Sequence, residues 1–390
     1  MKYNFDEYIK RTNTNSVKYD IQHPKAKNEN LKRLWIADMD FQAPKEIKDA
    51  IKNIGEHNIY GYSRPQNSYF EAVISWMEEK HQYHIEKEWF LITPGIVFAI
   101  GMAIRAFTKE NDGVLIQEPV YYPFKSIIQK NGRIVVDNPL VLKDNYYQID
   151  FMDFEEKIRK NNVKLFVLCN PHNPVGRVWK KDELMQMAEI CKRYGVIIVS
   201  DEIHADFAWT GHKHLMLTDL DLSYQEFTIT CTAPSKTFNI AGLQISNIFI
   251  PNEKLRFQMK KELAKTGYSN PSQTGIAACE AGYRYGNEWY EQLKSYLEEN
   301  FRFLKTFLED NMPNVNFIQP EATYLAWVDC KALGFGENQL QEKIITQSGL
   351  WLEEGKKFGS GGEFFERFNI ACPRQELKEA LELFQKVLTE

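Results

Sequence analysis

Three residues of this 390-residue chain carry groups whose chemistry fits together: the amine of Lys236, the carboxylate of Asp201 and the amide of Asn173. Lys236 lies in the run Ala233-Pro234-Ser235-Lys236-Thr237-Phe238-Asn239. Asp201 follows the apolar run Val196-Ile197-Ile198-Val199-Ser200, and Asn173 sits in Asn170-Pro171-His172-Asn173-Pro174-Val175-Gly176. Each falls where a strand ends or a turn begins. A lysine can hold an aldehyde cofactor as a Schiff base, and a buried aspartate can keep a facing ring nitrogen protonated, because an opposite charge favours the protonated form. An asparagine aimed by two prolines can donate to a phenolate oxygen. Together they describe a site for pyridoxal 5'-phosphate, whose ring acts as an electron sink.

Taken singly, each residue has a plainer reading. A lysine after a strand is ordinarily solvated, an aspartate at a strand end ordinarily caps a helix, and Asn-Pro segments ordinarily make turns. The ordered set, not any member, carries the inference.

The elements that must position these groups are legible as alternation. Residues 114–117, 163–169, 196–200, 227–231 and 245–250 are short, apolar and rich in β-branched or aromatic side chains, as buried strands of one sheet are. Between them, residues 181–194 space Leu184, Met187, Ala188 and Cys191 onto one helical face that stops at Gly195. The pattern predicts an α/β fold: a large domain with a mostly parallel sheet covered by helices on both faces, over residues 46–272. From about Gln273 it changes to long charged helices, a few strands and a closing helix over 375–388. A smaller α+β domain built from both chain ends, 1–45 and 273–390, is expected. The glycine cluster at 359–362 reads as a mobile loop.

A phosphate site can be placed as well. Thr93-Pro94-Gly95-Ile96-Val97 leads into the apolar stretch 98–107, so the N–H groups of Ile96 and Val97 would open a helix and attract an anion, with Gly95 allowing close approach. An ordinary Pro-Gly turn before a helix is the plainer alternative.

With these motifs in place, the chain resembles the fold-type-I pyridoxal phosphate enzymes of the aminotransferase class I/II superfamily, and more narrowly the cystathionine β-lyase or C–S lyase branch with its cystalysin-like members. The similar segments run almost end to end. Besides those above they include Trp35-Ile36-Ala37-Asp38-Met39-Asp40-Phe41, Tyr60-Gly61-Tyr62, Glu118-Pro119-Val120-Tyr121-Tyr122-Pro123-Phe124 and Ala322-Thr323-Tyr324-Leu325-Ala326-Trp327. Ser200-Asp201-Glu202-Ile203-His204-Ala205-Asp206 and Arg367-Phe368-Asn369-Ile370-Ala371-Cys372-Pro373-Arg374 complete them.

The resemblance implies further roles. Tyr121 would stack on the cofactor and Tyr122 would point a hydroxyl into the site. Ser235 and Tyr62 would contact the phosphate, Tyr62 from a neighbouring subunit, which implies a homodimer with shared active sites. Arg374 would bind the substrate α-carboxylate, with Asn173 and the backbone near Asp38 and Met39 completing that pocket. Gln244 stands where many aminotransferases carry a phosphate-binding arginine. His204 stands where many carry a tyrosine, a change the lyase branch shares. The implied reaction is β-elimination from cystathionine or a related sulfur amino acid, giving a thiol, pyruvate and ammonia. An aminotransferase is the alternative within enzymes; a regulatory protein-binding module with incidental lyase activity is the alternative outside them.

Composition suits a large globular enzyme, with 43% hydrophobic and 26% charged residues. A net charge of −5 with no basic stripe gives no electrostatic case for nucleic acid or an acidic membrane. The N-terminal residues lack an apolar signal core, which suggests a cytoplasmic protein. The six cysteines lack a CxxC pair and read as buried, reduced thiols. His81 and His84 have ligand-like spacing without a second cluster, so a surface helix face is expected there and no metal. No GxGxxG or Walker sequence supports a nucleotide cofactor.

Overall fold

The computed structural model describes residues 2–26 and 31–389. Strands β1 (Phe90–Thr93), β2 (Gly113–Ile116), β3 (Ile134–Asp137), β4 (Val163–Cys169), β5 (Ile197–Asp201), β6 (Thr228–Thr232) and β7 (Ser246–Phe249) form one sheet in the order β1-β7-β6-β5-β4-β2-β3. Strands β2 to β6 run parallel to one another, and β7 is antiparallel to both β1 and β6.

The apolar runs are explained by burial on both faces. Along β4, Leu165, Val167 and Cys169 pack with Ala99, Ile100 and Ala103 of helix α3 (Ile96–Phe107), whereas Phe166 and Leu168 face Leu184, Met187 and Cys191 of helix α4 (Lys181–Tyr194). Each such side chain contributes roughly 1.5–3 kcal/mol on full burial, so an apolar residue is favoured at each of these positions. Helix α4 starts where Glu183 accepts from Lys180 N–H at 2.8 Å and stops at left-handed Gly195, φ 67°.

Register explains the spacing of the chemical residues. Cys169 pairs with Asp201 and Asp201 with Cys231, so β4, β5 and β6 end side by side. The ends of these strands and the turns that follow carry Asn173, Asp201 and Lys236 along the carboxyl edge of the sheet, where open α/β sheets place their ligands.

A second sheet, of β8 (Asn316–Ile318), β9 (Leu325–Asp329), β10 (Glu353–Glu354) and β11 (Phe365–Asn369), is antiparallel in the order β8-β9-β11-β10. The 25-residue helix α6 (Asn287–Asn311) and the closing helix α7 (Arg374–Thr389) pack together beside it. The short strand Lys32–Arg33 pairs in parallel with Leu350–Trp351, tying the N-terminal region to the C-terminal part; residues 1, 27–30 and 390 of the expected small domain lie outside the described residues. Helix α5 (Gln273–Tyr285) packs on α1 (Lys45–His57) and α2 (Asn67–His81). A boundary drawn at 272/273 therefore cuts through one packed group of helices.

Two local expectations need correction. His81 is buried rather than on a surface face: its Nε2 lies 2.8 Å from Asp206 Oδ1, a carboxylate oxygen that also accepts from Trp76 Nε1 at 3.1 Å. The 359–362 cluster is anchored, since Ser360 donates from N at 2.7 Å and from Oγ at 3.1 Å to the buried Glu118 carboxylate. All six cysteines are free and buried, and no helix among the described residues is long and apolar enough to cross a membrane.

Candidate active site

One cavity of about 680 Å³ opens at the carboxyl edge of the large sheet. Its wall includes Lys236, Asp201, Asn173, His204, Tyr121, Tyr122, Ser235, Gly95, Ile96, Val97, Asp38 and Met39, so these residues from distant parts of the chain converge. Tyr62 and Arg374 do not reach it.

Lys236 stands on the helical turn Pro234–Thr237 directly after β6, and its Nζ donates to Ala37 O at 2.6 Å. Burial lowers its ammonium to about 8; Asp38 opposes that fall and nearby Arg367 adds to it. Asp201, 5% exposed, accepts from Ile203 N–H at 3.1 Å. Burial raises its carboxyl to about 7, offset in part by that N–H, while Glu202 adds to the rise. The Tyr121 phenol is raised to about 12 and that of Tyr122 is raised too, both chiefly by burial, so both hold their protons at neutral pH.

The carboxylate-binding arginine needs correction. Arg374 opens helix α7 with its N–H on Tyr296 Oη at 2.7 Å, its Nε on Asn300 Oδ1 and its Nη2 3.8 Å from Glu299, outside the cavity. Arg367, on β11, occupies the cavity instead. It is 2% exposed, donates from Nη1 to Asn173 Oδ1 at 3.1 Å and from Nη2 to Trp35 O at 2.7 Å, and leaves Nε buried with no partner. The local run Phe365-Glu366-Arg367-Phe368-Asn369 carries no signal for this role, because charged Glu366 and polar Asn369 stand in the same strand as the arginine.

The backbone near Asp38 and Met39 is also spent. Asp38 N–H donates to Ile36 O at 2.8 Å, and Met39 N–H to Asn239 Oδ1 at 3.1 Å, with Asn239 Nδ2 returning bonds to Met39 O and Phe41 O at 2.9 Å. Asn239, Glu353 and Arg11 are cavity residues that sequence reasoning passes over.

Pyridoxal phosphate fits this donor set on three observations. Helix α3 begins at Gly95 without a side-chain cap, and a Cβ built there would meet nothing within 4 Å, which leaves its first N–H groups open to an anion. His204, 3% exposed on the wall, has a buried Nδ1 with no partner and is held neutral by burial, so it suits a neutral ligand oxygen or ring edge. Asp201 is a carboxyl that a facing cation would keep ionised. Gln244 lies on the wall with left-handed backbone, φ 51°, so the phosphate end has no arginine at the position where many aminotransferases carry one.

Tyr62 is fully exposed, in the non-helical stretch between α1 and α2 that also exposes Ile59 and Tyr60.

Comparison with known proteins places the whole chain in a family. Residues 30–384 match the family model for aminotransferase class I and II. The cystathionine β-lyase PatB of Bacillus subtilis is 40% identical over 386 residues, 99% of this chain and 100% of that protein. Cystalysin from Treponema denticola, whose structure contains a pyridoxal 5'-phosphate cofactor, superposes with a TM-score of 0.96 at 38% identity, covering 100% of this chain and 99% of that one. A PLP-bound candidate aminotransferase from Clostridium difficile 630 superposes with a TM-score of 0.97 at 41% identity, covering 99% and 100%.

Proposed function

We propose that this chain, which belongs to the aminotransferase class I and II family, is a pyridoxal phosphate-dependent carbon–sulfur lyase of the cystathionine β-lyase type. It removes the β-sulfur substituent of an L-cysteine derivative as a thiol, leaving pyruvate and ammonia after hydrolysis. With cystathionine the thiol is homocysteine. The observation that carries this reading is the convergence of Lys236, Asp201, Asn173 and Arg367 on one cavity in a chain similar along its whole length to lyases.

The residues that would hold pyridoxal phosphate are Lys236, Asp201, Asn173, His204, Tyr121 and Ser235, with the N–H groups following Gly95 at the phosphate. When bound, it supplies a conjugated cationic ring over which the electron pair left at Cα is spread.

Everything else is the work of side chains. Arg367, fixed on Asn173 and Trp35 and still carrying an unpartnered Nε, binds the substrate carboxylate by a charge-assisted bond. Lys236, with its ammonium lowered to about 8, has an appreciable amine fraction just above neutrality and takes the Cα proton on Nζ. Asp201 would face the ring nitrogen, and a cation there would hold its carboxyl ionised. Tyr122, neutral and 36% exposed, offers its hydroxyl proton to the departing sulfur.

The active unit in this reading is a homodimer in which Tyr62 of a second copy completes the phosphate site, which accounts for a fully exposed tyrosine beside exposed Ile59 and Tyr60. A reducing, cytoplasmic setting suits six buried free cysteines.

Transamination would use the same residues, so the test is keto acid dependence. Pyruvate and homocysteine formed from L-cystathionine with no keto acid present are expected. Turnover only after a keto acid is added would make the protein an aminotransferase.

A further inference from the structure

We propose that Asp206 is a positioning residue for Lys236: its buried carboxylate, held by His81 and Trp76, grips Thr237 and so fixes the helical turn that aims the lysine amine at the cofactor aldehyde. This rests on Lys236 as the lysine that bonds the cofactor, and not on which reaction follows.

The need for an anchor lies in the turn itself. Pro234–Thr237 is one turn of helix, closed by the bond from Phe238 N–H to Pro234 O at 3.0 Å. A single turn fixes several dihedrals for one hydrogen bond and has no stability of its own, so contacts outside it must set its orientation. Consecutive helical residues point about 100° apart. Here Lys236 lies on the cavity wall, whereas Thr237 is fully buried and turned away from it. Whatever holds Thr237 therefore sets the direction in which the Lys236 side chain leaves the backbone.

Asp206, in the turn after β5, supplies that hold. Its Oδ2 accepts from Thr237 Oγ1 at 2.5 Å, while Oδ1 accepts from His81 Nε2 at 2.8 Å and from Trp76 Nε1 at 3.1 Å, both on helix α2. Its backbone carbonyl accepts from Tyr290 Oη on helix α6. Thr237, Asp206, His81 and Trp76 are each more than nine-tenths buried. Burial works against a charge on Asp206, but His81, Thr237 and Trp76 outweigh it and hold the carboxyl below the ordinary aspartate value. An ionised carboxylate only accepts, so His81 carries a proton on Nε2. The Trp76 ring also packs edge-on against Phe238, with centroids 5.4 Å apart. Helix α2 thus grips both residues that follow Lys236, Thr237 through the carboxylate and Phe238 by packing. A buried charge of this kind adds little stability over an apolar pair of the same size; what it adds is a fixed direction.

The test compares the affinity of the full-length apoprotein for two forms of the cofactor by fluorescence titration. Pyridoxal 5'-phosphate can bond the lysine, whereas pyridoxamine 5'-phosphate has the same ring and phosphate but an amine in place of the aldehyde and cannot. Thr237→Val removes the hydroxyl and keeps the shape. Because the lysine's advantage as a bonded partner depends on orientation, Thr237→Val should weaken pyridoxal 5'-phosphate by about tenfold or more and leave pyridoxamine 5'-phosphate within about twofold. Thr237→Ser restores the donor and should return the first value to near wild type. Should valine crowd the buried site and prevent folding, Thr237→Ala carries the same expectations. Equal loss of both cofactor forms, loss of neither, or a Thr237→Ser protein as weakened as Thr237→Val overturns the inference alone. Borohydride reduction of the wild-type holoenzyme, followed by peptide mass analysis, checks its premise. Cofactor fixed on Lys236 is expected; cofactor fixed elsewhere, or nowhere, overturns the role of Lys236 and the inference with it.

Discussion

Arg367 Nη1 donates to Asn173 Oδ1 at 3.1 Å, joining the antiparallel sheet of the C-terminal part to the proline-flanked turn that follows strand β4 of the large sheet. The bond holds the guanidinium at the cavity wall. Since both partners are buried, the pair also couples the two sheets at the point where chemistry is proposed.

The two arginines of the 367–374 segment should therefore behave differently. Arg367→Lys keeps the charge and loses the planar fork, and KM for the amino acid should rise by about one to two orders of magnitude. Arg374→Ala should leave KM within about threefold and instead cost about 1–2 kcal/mol of stability through the lost Nε bond to Asn300 Oδ1 and the lost guanidinium contact with the Tyr296 ring. Steady-state kinetics and urea titrations of both variants separate the cases.

Asp201 makes a pH prediction for the cofactor-free protein. Its carboxyl is held at about 7 in the folded chain against roughly 3.9 unfolded. Between those values the folded state binds the extra proton, so the stability it contributes is full below about pH 4 and is lost as pH rises through 7. Unfolding free energy of the apoprotein should fall between pH 5 and pH 8 by an amount on the order of a few kcal/mol, and Asp201→Asn should flatten that slope. An unchanged slope in the variant would remove Asp201 as its source.

Gly359 should not accept a side chain. Its φ of 96° with ψ −152° belongs to a region reserved for glycine, and an added Cβ would sit 2.0 Å from the Glu118 carboxyl carbon, which Lys125 and Ser360 hold. Gly359→Ala is expected to destabilise the fold by about 2–4 kcal/mol, read from denaturant midpoints.

Much of this site is legible in the amino-acid sequence. Buried parallel strands announce themselves as apolar runs, and the residues that close or follow each run lie at the carboxyl edge; Asn173, Asp201 and Lys236 are recognisable for that reason. Arg367 is not, because choosing between two nearby arginines requires knowing that Phe365–Asn369 is a strand paired with Leu325–Asp329, a register set in three dimensions. The settings of His81 and of the 359–362 loop are hidden for the same reason. Their partners, Asp206 and Glu118, are far away along the chain, and local composition says nothing of them. The ion pairs of Arg11 with Asp38 and Asp40, and of Lys18 with Asp40, likewise emerge only where folding brings these residues together.

Shared active sites can be tested by complementation. Lys236→Ala and Tyr62→Ala homodimers should both be nearly inactive. After unfolding and random reassociation, about half the dimers should be hybrids with one intact site each, restoring about a quarter of wild-type activity. No recovery would place Tyr62 outside the partner's site.

The central claim is that Lys236 performs β-elimination in this cavity. The most direct measurement is the ratio of thiol to pyruvate released by the holoenzyme from S-methyl-L-cysteine without a keto acid, with Lys236→Ala beside it. The predicted result is about one thiol per pyruvate in steady turnover and a loss of about 10²–10⁴-fold in a folded Lys236→Ala protein. Wild-type-like release from the variant, or no pyruvate from the wild type until a keto acid is supplied, would contradict it.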